Sequence, residues 1–356
     1  MAHLLRKIVD RTRSPFSSSP ADSANDESGS SSPGGFIFPK VDPAVDGDDC
    51  DHDCASCTIH YPSKFKIDED DQLYGHVKGW ATQILVATGK SDWVRDVEDE
   101  EGSVMEALGK GHVKPSNGKL MLSASNMPPP SEYYEGTTGH QPTTVLLLPA
   151  FQLIDHVRPQ DVPELVQRFI NVATTTTTTR LIPDTTTTTI TPPDAVQPTT
   201  ADVEPTPEPV HLTNGDAPKD SITPTLQSRP CPHKYLILLC SQKTRDARCG
   251  QSAPLLRREL ERQLRPLGLF RDLEDSRPGG VGIYFISHVG GHKYSANMMI
   301  YRKGDDGEAS QGIWLARVRP EDCEGIVKYT VLQGKVVKPE RQLRGGFDRT
   351  KGLVSW

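Results

Sequence analysis

Tyr235-Leu-Ile-Leu-Leu-Cys240 and Val281-Gly-Ile-Tyr-Phe-Ile-Ser-His288 decide the fold. Each is a short apolar run without polar alternation, the pattern of a strand buried on both faces of an α/β layer. Between them Ser252 offers an N-cap with Pro254 in the first turn, and Leu256, Leu260 and Leu264 recur on one helical face. Pro278-Gly-Gly280 turns the chain into the second strand. Met298–Tyr301 and Ile313–Val318 read as two further strands around a Gly304–Gly312 loop, and Pro320–Leu332 as a closing amphipathic helix. This β-α-β-β-β-α order over 229–341 predicts a thioredoxin-type layout, with helices covering a small mixed sheet.

Both deciding strands end in metal-ligand chemistry. Cys240 closes the first, and Cys249 follows an eight-residue loop, Ser-Gln-Lys-Thr-Arg-Asp-Ala-Arg. His288 closes the second, and His292 follows Val-Gly-Gly. Neighbouring parallel strands bring their C-terminal ends together, so the two pairs are expected to converge. Gly290 and Gly291 lack a Cβ and permit a tight loop that swings both imidazoles to one side. Two thiolates with two imidazoles suit zinc or an iron–sulfur cluster. Lys243, Arg245, Arg248 and Lys293 surround these ligands, either as donors to cluster sulfurs, as docking charges for an acidic partner, or as solvated loop charges. Cys231 reads as a bystander at the domain edge and Cys323 as a small buried residue.

The 356 residues suffice for two domains with chain to spare. Hydrophobic content of 35% with 30 Pro and 29 Gly places part of the chain outside any core. Residues 1–49 are read as a disordered N-terminal region, 50–172 as an N-terminal α/β domain, 173–228 as a Thr/Pro linker, and 342–356 as a tail. In the N-terminal domain Ile84–Val86, Leu120–Leu122 and Thr144–Leu148 are strand-like, and Ser103–Leu108 and Pro163–Ile170 helical. No internal repeat is visible. A net charge of −7 gives no footprint for nucleic acid, and no run approaches the roughly 18 apolar residues of a membrane span.

Cys50, Cys54 and Cys57, with His60 nearby, form a second candidate site, for zinc or for a redox dithiol. Gly89-Lys90-Ser91 follows a strand, but the first glycine of a phosphate loop falls on Ile84, which excludes that cradle. The carboxylates lie in runs such as Asp68–Asp71 and Asp96–Glu101, with no hydrolase signature.

Three stretches carry a family resemblance: Cys240–Gly250, Ile286–Tyr294 and Trp314–Asp322. They resemble the fungal sucrase/ferredoxin-like family, most of all its actin-patches-distribution branch, and Thr88–Trp93 with Asp96, Glu98 and Asp99 resembles that family's N-terminal half. The resemblance implies a thioredoxin-like ferredoxin with a [2Fe–2S] cluster, Cys240 and Cys249 on one iron and His288 and His292 on the other. It also implies an electron carrier, rather than an enzyme, with a redox partner protein. Val354-Ser-Trp356 looks like the terminal aromatic tripeptide recognised by cytosolic iron–sulfur assembly machinery, which implies a cytoplasmic protein. The basic start followed by Ser-rich chain suits a mitochondrial presequence instead. Two readings from other classes stay open: a zinc-stabilised interaction module, and a thiol–disulfide oxidoreductase using Cys54 and Cys57.

Overall fold

Tyr235–Cys240 is apolar throughout because its sheet is buried on both faces: Ile237 and Leu239 join one core, Leu236 and Leu238 the other. The computed structural model describes residues 35–134, 141–179 and 226–356. The expected disorder of 1–34 and the linker residues 180–225 lie outside the described residues. Phe36–Trp356 forms one unit built on a mixed sheet.

In chain order the strands are β1 (Thr82–Ala87), β2 (Leu120–Ser125), β3 (Thr143–Leu148), β4 (Gln152–Val157), β5 (Gln227–Pro230), β6 (Tyr235–Cys240), β7 (Phe270–Arg271), β8 (Val281–Ile286), β9 (Met298–Lys303), β10 (Ala309–Leu315), β11 (Leu343–Asp348) and β12 (Leu353–Val354). Across the sheet they run β12-β11-β10-β9-β6-β8-β2-β1-β3-β4-β5, with β7 beside β8. The helices are α1 (Pro43–Asp46), α2 (Val104–Lys110), α3 (Val162–Leu165), α4 (Ala247–Leu264), α5 (Cys323–Gly325) and α6 (Pro339–Gln342). α2 to α5 pack on one face, through side chains such as Met105, Leu165, Leu256, Leu260 and Cys323. The other face is closed by aromatic residues on strands and loops, among them Trp80, Phe151, Trp314 and Phe347.

The described residues contain a repeat that the sequence hides. β1 is parallel to β2 and antiparallel to β3, which is antiparallel to β4. β6 stands in the same relation to β8, β9 and β10. Each set then enters its last helix through Val-Arg-Pro-x-Asp. The Asp161 carboxylate accepts from Arg158 N at 3.1 Å, and that of Asp322 from Arg319 N at 2.7 Å. Both helices, α3 and α5, continue into a widened π turn, Val166–Ile170 and Ile326–Val331.

The repeats meet antiparallel at one register pair, Ser125 with Ile286. Four hydrogen bonds there are reciprocal, as across a local two-fold axis. Asn126 N donates to Phe285 O (3.1 Å) and Ser287 N to Ala124 O (2.9 Å). Phe285 N donates to Asn126 Oδ1 (2.7 Å) and Ala124 N to Ser287 Oγ (3.0 Å). Asn126→Ala is therefore expected to orphan the buried Phe285 N–H and to cost about 1–3 kcal/mol. A urea midpoint within error of the parent value would refute it.

Several boundaries differ from expectation. α4 begins at Ala247, because Asp246 caps the helix by accepting from Arg248 N at 2.9 Å. Cys249 thus sits in the first turn of a helix, and Pro254 lies inside it. Residues 343–348, expected in the tail, form the buried strand β11. Part of the expected disorder is ordered too: Phe38 is 1% exposed, and Ile37 N donates to Tyr74 Oη at 2.9 Å. Thr176 N, expected in the linker, donates to Ala81 O at 2.9 Å.

Candidate metal centre

β6 and β8 are parallel neighbours in register, Cys240 opposite Ile286, so Cys240 and His288 leave the same end of the sheet two residues out of step. Cys249 returns to that end on the first turn of α4. Cys240 Sγ lies 3.5 Å from Cys249 Sγ and 4.0 Å from His288 Nδ1. Both thiols are buried, at 2% and 0% exposure. Cys249 is held well above the usual thiol range, by its hydrogen bond to Cys240 and by burial. The hydrogen bond between the two sulfurs holds Cys240 below that range. A bound metal would displace the protons of both sulfurs. His292 opens the turn His292–Tyr294, and its side chain is outside the described residues.

The ligand loops are held by polar contacts. Gln242 Oε1 accepts from His288 N at 2.8 Å, and Gln242 Nε2 donates to Val94 O at 2.5 Å. Ser241 Oγ donates to Ser91 O at 2.8 Å, and Asp92 accepts from Thr244 N and Oγ1 at 3.0 and 2.8 Å. The Thr88–Trp93 segment thus buttresses the cysteine loop from the other repeat. In the histidine loop Gly290 and Gly291 have φ of 91° and 66°, the left-handed region in which glycine is unstrained. Asn297 Nδ2 donates to Gly291 O (3.1 Å), and Arg344 Nη1 to Gly290 O (3.1 Å) and Asn297 Oδ1 (2.7 Å). Burial pulls the Arg344 guanidinium down to about 10.

Three of the four nearby cations are engaged elsewhere. Arg245 pairs with Asp96, Arg248 with Asp246, and Lys293 with Asp71. The sequence pointed to these cations, whereas Gln242, Asp92, Asn297 and Arg344 do the holding. None of the four carries a local signal, since each is defined by a partner far along the chain.

A profile of the sucrase/ferredoxin-like family matches residues 73–345, a span that takes in Cys240, Cys249, His288 and His292. The chain belongs to this family. Among its relatives, Actin patches distal protein 1 of Saccharomyces cerevisiae is 27% identical over 316 residues, which cover 84% of this chain and 85% of that protein. Altered inheritance of mitochondria protein 32 of Clavispora lusitaniae is 37% identical over 106 residues, 30% of this chain and 33% of that protein. Its Debaryomyces hansenii counterpart is 40% identical over 105 residues, 30% and 34%. The match spans about a third of those two proteins. No solved structure matches.

The N-terminal cysteines lie elsewhere. Cys54 Sγ accepts from Arg262 Nη2 (3.5 Å) and Gln263 Nε2 (3.6 Å), and Cys57 Sγ donates to Ile59 O at 3.3 Å. Burial pushes the Cys57 thiol up, the reverse of what disulfide exchange needs. Among the described residues no three His, Cys, Asp or Glu side chains are arranged closely enough to hold a metal ion, neither Cys50, Cys54 and Cys57 nor Cys240, Cys249 and His288 without the His292 side chain. No helix among them is long and apolar enough to cross a membrane. Trp356 stacks on Trp80, with centroids 4.5 Å apart, and Gly346 N donates to Ser355 Oγ at 2.8 Å.

Cys231 and Cys323 are buried, at 2% and 0%. Beside Cys231, His233 is 2% exposed, its Nε2 3.0 Å from Tyr284 Oη and its Nδ1 without a partner. Burial, then the charges of Lys303 and Arg271, pull His233 down to about 4. The unfolded chain takes up that proton near 6.5, so it binds more protons than the folded chain between the two values. Stability is thus expected to be full above about pH 6.5 and to fall as pH drops to 4, by on the order of 3 kcal/mol. Denaturation midpoints against pH test this: His233→Gln should flatten the acid limb, and an unchanged limb would contradict it.

Proposed function

We propose that this protein is an electron carrier whose second repeat is a thioredoxin-like ferredoxin domain holding a [2Fe–2S] cluster. Cys240 and Cys249 would bind one iron, His288 and His292 the other. The observation that carries the reading is the buried thiol pair at 3.5 Å, with His288 Nδ1 4.0 Å from one of its sulfurs. Tetrahedral ligation with metal–sulfur bonds of about 2.3 Å separates two thiolates by about 3.8 Å, so the pair is nearly pre-set. The family's ferredoxin-like character and the strand order β8-β6-β9-β10, with its hairpin after two parallel strands, support the same reading.

The bound group supplies one-electron chemistry, and the chain sets its terms. With neutral histidines the oxidised centre carries no net charge, against minus two for an all-cysteine site. An electron enters it at lower cost, so the potential should lie above the plant-type value of about −400 mV. Burial of both sulfurs keeps water from the thiolates, while His288 borders an open cavity. Both features support electron exchange with a redox partner protein on the histidine side.

Docked against Trp80, the terminal Trp356 would have to leave its seat to serve as an assembly signal. A cytoplasmic site rests on that signal. The name of the mitochondrial-inheritance relatives favours a mitochondrial connection instead.

Anaerobically purified protein tests the reading. Iron and acid-labile sulfide in equal amounts, with visible charge-transfer bands, are expected. Colourless protein with stoichiometric zinc would replace the carrier by a zinc-stabilised module.

A further inference from the structure

Beside the histidine loop lies a cavity of about 410 Å³ lined by both repeats. In a chain of net charge −7, its wall contains Lys78, Lys119 and Arg344 and no carboxylate. Among the described residues neither lysine has an ion-pair partner. Trp80 and Trp314 meet edge to face in the same wall, centroids 5.5 Å apart at 75°, and form an apolar corner.

A second observation singles this cavity out. Arg344 is 4% exposed and its Nε has no acceptor, and Trp314 is 3% exposed and its Nε1 has none either. Trp80 Nε1 is without an acceptor too, and buried donors are almost always satisfied, so three orphans on residues lining one cavity call for an acceptor from outside the chain. Arg344 also lies over the Trp314 ring at 4.2 Å, which joins the cationic wall to the aromatic one.

We propose that this cavity binds a small flat aromatic anion, its ring against the indole corner and its acidic group toward Arg344, Lys78 and Lys119. An apolar molecule would leave the cations and the orphaned donors unanswered, and a bare inorganic anion would leave the indoles so. Bound there, the ligand lies next to His288. Its service as a small-molecule electron-exchange partner rests on the cluster reading above, whereas its binding does not.

Calorimetry on the full-length protein as isolated tests the site, with benzoate, its neutral isostere benzamide, and inorganic phosphate as probes. Benzoate should bind once per chain, and benzamide and phosphate each at least about tenfold more weakly. The surface change Lys78→Ala with Lys119→Ala should weaken benzoate about tenfold and leave benzamide unchanged. Arg344→Lys, which keeps the charge and removes the orphaned Nε, should weaken benzoate as well. Equal affinity for benzoate and benzamide, phosphate binding as tightly as benzoate, or no effect of the double lysine change would overturn the proposal. Iron content is read on the same samples. Colourless protein that binds benzoate defeats only the cluster, and brown protein that does not bind it defeats only this site.

Discussion

Cys240→Ser is expected to leave the protein folded and nearly free of iron. Cys240 is the hub of the proposed ligand set, 3.5 Å from Cys249 Sγ and 4.0 Å from His288 Nδ1. A serine hydroxyl keeps its proton at neutral pH and offers no thiolate. Even losing a group that only orients a ligand costs roughly 10–100-fold in metal affinity, so losing a ligand should cost at least about 100-fold. Iron per chain, measured after desalting, should fall to about a tenth of the parent value or lower. The controls are Cys231→Ser and Cys323→Ser, which alter thiols buried just as deeply. They should keep their iron. Equal loss in all three variants would mean that a packing defect, not ligation, releases the metal.

The second large effect concerns energy rather than occupancy. Exchanging both histidines for cysteine, His288→Cys with His292→Cys, adds two negative charges to the proposed centre. The potential should drop by roughly 250 mV or more, the gap between histidine-ligated and all-cysteine centres. The parent potential should also fall as pH rises, by up to about 59 mV per unit, because a ligating imidazole retains a second N–H that oxidation can release. The cysteine variant has no such proton and should lose that slope. Voltammetry at several pH values reads both effects. A potential unchanged by the double exchange would mean that the imidazoles do not touch the redox centre.

The approach of Cys240, Cys249 and His288 was legible because these residues sit where local pattern is strongest. Tyr235–Leu239 and Val281–Ile286 are apolar throughout, and a strand end followed by Cys or His needs no knowledge of the rest of the fold. The helix bearing Leu256, Leu260 and Leu264 was equally plain, although its cap is Asp246, six residues before the expected Ser252, and the helix so captures Cys249. β11 was not legible. Its sequence, Leu-Arg-Gly-Gly-Phe-Asp, has no strand period, and its buried charges rely on partners outside the strand: Asn297 for Arg344, and Gln311 with Thr350 for Asp348. The repeat was hidden for a related reason. Topology is carried by buried apolar residues that drift freely, and only Val-Arg-Pro-x-Asp, fixed by its capping geometry, survives in both copies.

Nitrogen hyperfine spectroscopy on the reduced protein, grown with 15N-labelled histidine, tests the ligand set most directly. Couplings from two imidazole nitrogens are predicted, one of them lost in His288→Cys. A reduced iron–sulfur signal without any histidine coupling would contradict the assignment.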